Sequence, residues 1–256
     1  MTPYEIVAIC LSSIAIIIPI AQWAWKRWVQ KPILNYHPNG TARLLFNQSG
    51  SYLQIDGVYE AINKPISVKN ISVCVKRQRD NETLNLTWST FISPVIQRVA
   101  GNAVQTNETA HPFRIEANSI MCAFTEFADA FNSYAKTFKT KTEVLFNNIP
   151  NICKEAQNYN EALQKYQTLS EYTSAKSFVE SEFFWEIGKY DVVIQARYDK
   201  KTINYLFEFS VGQADYQQIN QNIDESLISP LKDAHGIMRN YQFVDVELKE
   251  KNKVNI

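Results

Sequence analysis

Apolar side chains recur along the chain with three different spacings, and each spacing predicts a different element. An uninterrupted apolar run near the N-terminus is followed by segments in which every second residue is apolar. Between about 126 and 181 the spacing changes to three and four, and afterwards the period of two returns. These patterns predict, in turn, an apolar helix, strands and amphipathic helices. We therefore expect an α+β protein.

The apolar run from Ile6 to Trp25 contains no charged residue. About 20 helical residues span roughly 30 Å, which is the hydrocarbon thickness of a bilayer. Tryptophans gather at the C-terminal end of the run and basic residues follow at once, as at a membrane–water interface. We therefore predict a transmembrane helix with a basic juxtamembrane segment in residues 1–31. The residues that define this anchor are Ile6, Ile14, Ile18, Trp23, Trp25, Lys26 and Arg27.

Two alternatives to a membrane anchor are open for this run. A cleaved signal peptide carries basic residues before its apolar segment and small residues after it, whereas here Glu5 precedes the run and tryptophans follow it. A buried core helix is the second alternative, although this run is apolar all round and lies at the terminus. Positive charge on the C-terminal side predicts an outside N-terminus and a cytoplasmic domain. A domain on the outer face, in a periplasm or lumen, is the alternative.

Residues 32–93 are expected to form several short strands. Apolar residues occupy alternate positions in three segments, which indicates one buried face and one wet face. Sequences typical of turns separate these segments, for example Pro38-Asn39-Gly40 and Asn63-Lys64-Pro65. Short strands at this spacing predict a sandwich or a barrel. The alternating apolar positions are Leu53, Ile55, Tyr59, Ala61, Ile71, Val73, Val75, Leu84, Leu86 and Trp88.

The pattern changes after this region. Residues 94–111 are mixed in polarity and are expected to form a loop, and residues 112–127 to form a further strand. Apolar and aromatic residues then recur every three or four positions on both sides of Pro150. This spacing predicts a helical hairpin with helices at about 126–147 and 151–181.

The period of two returns in residues 190–198 and 203–211, and the polar residues between them predict a β-hairpin. A short amphipathic helix is expected to begin near Tyr216 and to end near Pro230. Residues 241–246 predict a last strand. The charged tail in residues 249–256 is expected to fray.

Together these elements predict a transmembrane helix followed by a β-sandwich, immunoglobulin-like in pattern, with an inserted helical hairpin. The expected soluble domain is 32–248, with the insertion at about 126–181. The Cys…Trp…Cys spacing of immunoglobulin domains is absent. Two domains, a β domain and an α+β domain, are the alternative. No Gly/Ser/Pro-rich linker divides the chain, which favours one unit.

The charge and cysteine composition of the chain favours some classes of function over others. The 256 residues include 26 basic and 26 acidic side chains, so the chain lacks the charge excess of a general nucleic-acid binder. Of its four cysteines, Cys10 lies in the apolar run, which leaves Cys74, Cys122 and Cys153. An odd number without Cys-x-x-Cys spacing is typical of free thiols in a reducing compartment. This agrees with a cytoplasmic domain.

No familiar catalytic or nucleotide-binding motif occurs. The glycine patterns that cradle phosphates and the G-x-S-x-G and H-E-x-x-H motifs are absent. His37, His111 and His235 adjoin turns and are expected to be exposed, since a catalytic histidine needs a nucleophile such as Cys122 or Cys153 beside it. We therefore predict no catalytic residue, no cofactor and no metal site.

A group of carboxylates surrounds the aromatic residues Phe183-Phe184-Trp185. It consists of Glu180, Glu182 and Glu186. Paired carboxylates can act as acid and base or hold a hard cation. Charge at this spacing usually faces solvent, which is the expectation here.

Among the predicted elements, the helical hairpin is the one that bears most directly on function. Its apolar stripe is expected either to pack on the strands or to pair with a second subunit or another protein. Aromatic and large apolar side chains are typical of such interfaces. The candidate interface residues are Tyr159, Leu163 and Tyr166.

These features favour a non-enzymatic, membrane-anchored binding, scaffold or sensor/effector module that faces the cytoplasm. Its expected contacts are the lipid bilayer and a protein partner or a second copy, because an anchor raises effective concentration at the membrane. One alternative is an enzyme of unfamiliar type that uses Cys/His pairs or carboxylates. Another is an envelope-side accessory protein.

Overall fold

A computed structural model describes the backbone of residues 2–99 and 102–251, and the side chains of that part outside 93–106. The fold is α+β, with an apolar helix at the N-terminus and a large antiparallel sheet that is nearly barrel-shaped. The helices are α1 (Pro3–Ala24), α2 (Ser133–Asn147), α3 (Ile149–Glu155), α4 (Tyr159–Gln167), α5 (Ser170–Ser181) and α6 (Gln213–Ala234). The strands are β1 (Ile33–Asn47), β2 (Gly50–Ile62), β3 (Ile66–Arg77), β4 (Thr83–Val99), β5 (Asn102–Thr109), β6 (Phe113–Ile115), β7 (Ser119–Ala128), β8 (Gly188–Tyr198), β9 (Lys201–Val211), β10 (Phe243–Glu247) and β11 (Lys249–Glu250).

Helix α1 begins at a capping box, in which Thr2 accepts a hydrogen bond from the Glu5 N–H at 3.4 Å and its own N–H donates to the Glu5 carboxylate at 2.7 Å. Pro3 occupies the first helical position, where its missing N–H costs nothing. A π-helical turn, Trp25–Val29, extends α1. No residue of α1 is buried, so the apolar run is not a core helix of this domain.

The described strands form one continuous sheet. Its order is β10-β1-β2-β7-β4-β3-β8-β9-β11, with β5 paired to β4 and β6 paired to β3. Every pairing is antiparallel. The immunoglobulin-like sandwich is therefore not confirmed, whereas the α+β class and the apolar N-terminal helix are.

The two edges of the sheet approach each other. The chain passes directly from β10, which pairs with β1, to β11, which pairs with β9, and the Tyr205 hydroxyl of β9 donates to the Leu34 carbonyl of β1 at 2.8 Å. These connections join the β1/β10 side to the β9 side, so the sheet curls almost into a closed barrel. Curling of this kind leaves few strand edges open to aggregation.

The interior of the curled sheet is filled by the alternating residues that the sequence identifies. Leu53, Ile55 and Tyr59 of β2 are at most 1% exposed. The Tyr36 and Tyr59 ring centroids lie 4.5 Å apart, and Gly57 makes room for them, since a Cβ there would lie 2.6 Å from the Tyr36 ring. This interior is a packed core of the kind seen in small barrels.

The predicted helical hairpin is instead four helices, α2 to α5, between β7 and β8. They begin at Ser133 rather than near 126, because residues up to Ala128 pair with neighbouring strands. The helices pack on the end of the sheet that lies away from α1. There, Phe46 contacts Tyr134 and Phe183 at ring separations of 5.6 and 5.1 Å.

Several further boundaries differ from the sequence predictions. The pattern of residues 94–111 predicts a loop, but strands extend to 99 and from 102 to 109. The strand expected at 112–127 is two strands, β6 and β7. Helix α6 continues through Pro230 to Ala234. The tail pairs with β9 at 249–250 instead of fraying there, and residues 252–256 lie outside the described part.

Candidate functional site

The predicted anchor residues all lie on α1 or the turn that follows it. Ile6, Ile14 and Ile18 are about half exposed, and Trp23 and Trp25 slightly more. The helix is long and apolar enough to cross a membrane, and the same properties occur in a signal sequence. Its tryptophans lie at the end nearest the barrel.

A cavity of about 680 Å³ lies between this end of the helix and the loops of the barrel, and we call it the basic cavity. The Lys64 ammonium donates to the Arg27 carbonyl at 2.9 Å, and the Asn63 amide donates to the Lys31 carbonyl at 3.0 Å. The β2–β3 turn therefore holds the chain that leaves the helix. The cavity is lined by Trp23, Lys26, Arg27, Gln30, Asn63, Lys64, Ala117 and Asn118.

The loops around the basic cavity are themselves tied together. The Asn63 N–H donates to the Asn118 side chain at 3.0 Å, and the Asn118 N–H donates to the Ala61 carbonyl at 2.8 Å. Both asparagines adopt the left-handed conformation, with φ of 72° and 56°, which Asn tolerates better than most residues. The cavity wall thus has a defined shape.

The candidate interface residues occupy different environments. Tyr166 is fully buried, and its hydroxyl donates to the Leu227 carbonyl at 2.9 Å. Burial raises the pKa of Tyr166. Tyr159 and Leu163 are partly buried against the core. Tyr166 is therefore a core residue in this chain, and an interface at Tyr159 and Leu163 stays a prediction.

One histidine meets a cysteine. The Cys153 Sγ lies 3.5 Å from the His235 Nε2, and the Tyr159 ring lies edge-on to the imidazole at 5.6 Å between centroids. All three side chains are partly buried. His235 follows the end of α6 and Cys153 is on α3, so packing of α3 against α6 creates this thiol–imidazole pair. The expectation that His235 is a plain exposed loop residue is wrong.

The other two histidines lie on the surface, as expected. His37 lies 3.7 Å from the Glu60 carboxylate. The His111 Nδ1 lies 3.0 Å from the Thr109 carbonyl oxygen. His111 and Cys122 line a shallow cavity of about 240 Å³ on the outside of the sheet. Neither histidine is held by a second carboxylate or nucleophile in the part of the chain that the structure describes.

The three glutamates around Phe183-Phe184-Trp185 lie in different environments. Glu180 and Glu182 are exposed, as predicted. Glu186 instead joins an ion-pair network at the end of β3, where Arg77 is 4% exposed. The Arg77 guanidinium donates to Asp80, at 3.0 Å, to Glu82 and to the Phe184 carbonyl. Within residues 2–99 and 102–251, no cluster of three or more potential metal ligands occurs.

Sequence reasoning missed Asn63, Lys64, Asn118 and Arg77 as site or structural residues. The turn signal at Asn63-Lys64-Pro65 identifies the loop, but a turn signal does not say what the loop contacts. Asn118 adopts a left-handed conformation beyond β6, and an asparagine at such a position is a local signal of a turn. Arg77 belongs to a basic stretch at the end of a strand pattern, and nothing in that stretch indicates that its side chain is buried.

The fold and the exposed helix define an α+β protein with an apolar N-terminal helix and a nearly barrel-shaped antiparallel sheet. No protein-family model matches the chain, and no curated protein matches it. Among solved structures, it is similar to a family 123 glycoside hydrolase from Clostridium perfringens, described for glycolipid glycan hydrolysis, with 10% identity and a TM-score of 0.29. The match covers 70% of this chain but only 27% of that one, and a likeness this weak carries no argument.

Proposed function

We propose that the chain is a single-pass membrane protein whose domain is a non-enzymatic binding or scaffold module on the cytoplasmic face. The observation that carries this proposal is α1, an apolar helix with no buried residue, bordered by tryptophans and then by Lys26 and Arg27. An exposed apolar surface of this length is stable only where it leaves water.

The packed interior of the domain supports a role in surface recognition. Side chains of Tyr36, Tyr59 and Phe207 fill the barrel centre, so a partner must bind outside it. The four helices at the far end offer a surface that includes the partly buried Tyr159 and Leu163. A second copy of the chain or another membrane-bound protein would suit this surface, because tethering both raises their effective concentration.

The cytoplasmic side is favoured by charge and by thiols. Lys26, Arg27 and Lys31 follow the helix, whereas its N-terminal side carries Glu5 and no basic residue. The positive-inside rule then predicts an outside N-terminus. The described cysteines are all free thiols, which suits a reducing compartment.

Alkaline carbonate extraction of membranes that contain the full chain tests the anchor. We expect the protein to stay in the membrane pellet with its N-terminal residues intact. An Ile14→Arg/Ile18→Arg variant should move to the supernatant, since a charged side chain at the helix centre is costly. Release of the unmodified chain, or a mature protein that lacks the helix, contradicts the proposal.

Thiol labelling tests the side of the membrane. In a Cys10→Ser/Cys74→Ser/Cys153→Ser variant, only the exposed Cys122 remains. An impermeant maleimide should label it in lysed cells and not in intact cells. Equal labelling of Cys122 in intact and lysed cells would mean that the domain lies outside, and would support an envelope-side accessory protein instead.

The Cys153–His235 pair supports a second candidate, an enzyme that uses a thiolate. An imidazole within reach of a thiol is the minimal arrangement for nucleophilic catalysis. If the pair is reactive, Cys153 should react with iodoacetamide faster than Cys122 at neutral pH, and His235→Ala should remove the difference. Equal rates for the two cysteines would leave this candidate without support.

A further inference from the structure

The basic cavity differs from the rest of the surface in its charge. Lys26, Arg27 and Lys64 all line it, and among the described residues no carboxylate does. In the part of the chain that the structure describes, none of the three forms an ion pair with a carboxylate.

The same end of the barrel is basic beyond the cavity. The turns and strand ends there carry more basic than acidic residues, with Glu60, Glu116 and Asp199 as the acidic ones. Strand register brings them together, since Val68 pairs with Tyr198 and Ser67 with Arg114. The basic residues at this end are Lys31, Lys69, Arg114, Lys200 and Lys201.

The cavity also offers neutral donors and an aromatic wall. The Arg27 guanidinium carbon lies 5.8 Å from the Trp23 ring centroid, which orients the cation. Gln30 and Asn118, which carry amide side chains, line the same space. Cations, amide donors and an aromatic ring at the end of an apolar helix form a site for an anion that carries an apolar part.

We propose that the basic cavity binds the headgroup phosphate of an anionic phospholipid. This inference rests on the proposed membrane anchor, because α1 in a bilayer brings the cavity to the level of the headgroups. Lys26, Arg27 and Lys64 contact the phosphate and the polar headgroup, and Trp23 lies beside the glycerol backbone. Basic residues at this depth are attracted to anionic lipids.

The position of the basic cavity beside the apolar helix favours a lipid over a free anion. One wall of the cavity is the last turn of the apolar helix and the π-helical turn after it. A free phosphate would meet the cations but leave the tryptophan wall unused. A lipid fills both parts, and its acyl chains continue along the exposed isoleucines of α1.

The test uses the full chain, purified in neutral detergent and reconstituted in nanodiscs that contain phosphatidylglycerol and phosphatidylcholine with the same acyl chains. Native mass spectrometry then measures which lipid the released protein retains. We expect a preference for phosphatidylglycerol. A Lys26→Gln/Arg27→Gln/Lys64→Gln variant should lower that preference by about tenfold or more, given the contribution of each basic residue.

A matched control removes the same charge elsewhere. Lys136, Lys139 and Lys141 are exposed on α2, at the end of the barrel away from α1. Their triple substitution by glutamine should leave the lipid preference unchanged. An equal loss in this control, or no loss in the cavity variant, overturns the proposal.

Two further measurements complete the test. A Lys26→Arg/Arg27→Lys/Lys64→Arg variant keeps the charge and should keep the preference; a loss in this variant would show that charge at these positions does not set the preference and would overturn the proposal. Inorganic phosphate at the concentration of the lipid should not displace phosphatidylglycerol; if it does, the lipid assignment is overturned. A chain that resists carbonate but shows no lipid preference contradicts this inference alone, whereas release by carbonate contradicts the anchor.

Discussion

Arg77 is the most confined charge among the described residues, and its partners account for its burial. It ends β3, and the guanidinium lies over the Phe184 ring at 5.4 Å from the centroid. Its N–H groups meet Asp80, Glu82 and the Phe184 carbonyl. A buried charge is stable only when paired and hydrogen-bonded in this way. The network closes the end of the barrel that faces the helices.

Replacement of Arg77 by Met should destabilise the protein. The partners are partly exposed, so we expect a loss of about 2–3 kcal/mol in the free energy of unfolding, below the value for a fully buried pair. Urea denaturation of the full chain in detergent, followed by tryptophan fluorescence, measures this loss. The control is Arg114→Met, which breaks an exposed pair with Glu116 and should cost below about 0.5 kcal/mol. Equal losses would contradict the prediction.

Asp80 gives the network a pH dependence. The hydrogen bond from Arg77 lowers the pKa of the Asp80 carboxyl to about 2, although desolvation acts in the opposite direction. A carboxyl with a lowered folded-state pKa stabilises the protein above its unfolded pKa, and this stabilisation is lost as the pH falls through the folded pKa. The urea midpoint should therefore fall between about pH 4 and about pH 2. In Asp80→Asn this component should be absent; an unchanged acid slope would contradict the assignment.

At this scale the sequence predicts burial well and polar partners poorly. The alternating residues of β2 and β3 are buried as their period of two requires, because side-chain direction follows from strand geometry alone. Partners such as Cys153 and His235 come from distant elements, and no local signal pairs them. Asn222, fully buried, binds the backbone of Gln242 through both ends of its amide, which no local pattern indicates.

Helix α6 contains an internal proline. A hydrogen bond from another element replaces the one that proline cannot donate. Pro230 has no N–H to donate to the carbonyl four residues earlier, which belongs to the buried Ser226. The Gln48 amide, from the β1–β2 turn, donates to that carbonyl at 2.8 Å. The helix therefore continues where its sequence predicts an end.

A double-mutant cycle tests the role of Gln48. Gln48→Ala should cost about 1–3 kcal/mol of unfolding free energy, since it leaves a buried carbonyl unsatisfied. In a Pro230→Ala background the helix can supply the missing N–H, and the same substitution should cost about 1 kcal/mol less. Equilibrium denaturation of the four proteins gives the coupling. Simple additivity would show that Gln48 acts in some other way.

At the scale of elements, sheet pairing decides the boundaries that the sequence predicts incorrectly. Phe127 continues the helical spacing of Phe131 and Tyr134, but it pairs with Leu53 in the sheet, and the sheet bonds outweigh the spacing. Asn158 begins α4 as an N-cap, with its side chain accepting the Glu161 N–H at 3.0 Å. This N-cap divides the second predicted helix into two. The spacing of apolar residues alone does not indicate that division.

At the scale of the whole molecule, the end of the barrel next to α1 has an excess of basic residues, although the net charge of the chain is zero. The opposite end carries both signs, since Asp80, Glu82, Asp129, Glu180 and Glu182 lie there together with Lys136, Lys139 and Lys141. A basic excess at one end favours one orientation at a negatively charged surface, with that end toward it.

The charges beside α1 should determine the direction of insertion. A Thr2→Lys/Glu5→Lys/Lys26→Gln/Arg27→Gln variant reverses the charge difference across the helix. We expect the domain to move at least partly to the outer face, so that an impermeant maleimide labels Cys122 in intact cells. The Lys136/Lys139/Lys141 glutamine variant keeps the local charges and should stay unlabelled. No change on reversal would show that another feature sets the direction.

The order of strands could not be predicted at this scale. Local hairpins such as β8–β9 follow from alternation and a short polar turn. The β2–β7 and β3–β8 pairings join segments that are distant in the sequence. The spacing of apolar residues does not indicate which distant strands pair. The choice between sandwich and barrel depends on those distant pairings.

The pairing of β1 with β10 has a consequence for biosynthesis. Arg43 and Asp245, whose side chains are joined at 2.7 Å across this pair, are 202 positions apart. A ribosome that adds about 5–20 residues per second makes the two strands roughly 10 s or more apart. Throughout that interval, one edge of β1 lacks its partner and is open to other strands. Completion of the sheet is therefore a late event in translation, and a slow or stalled ribosome prolongs the period in which the nascent chain is open to aggregation.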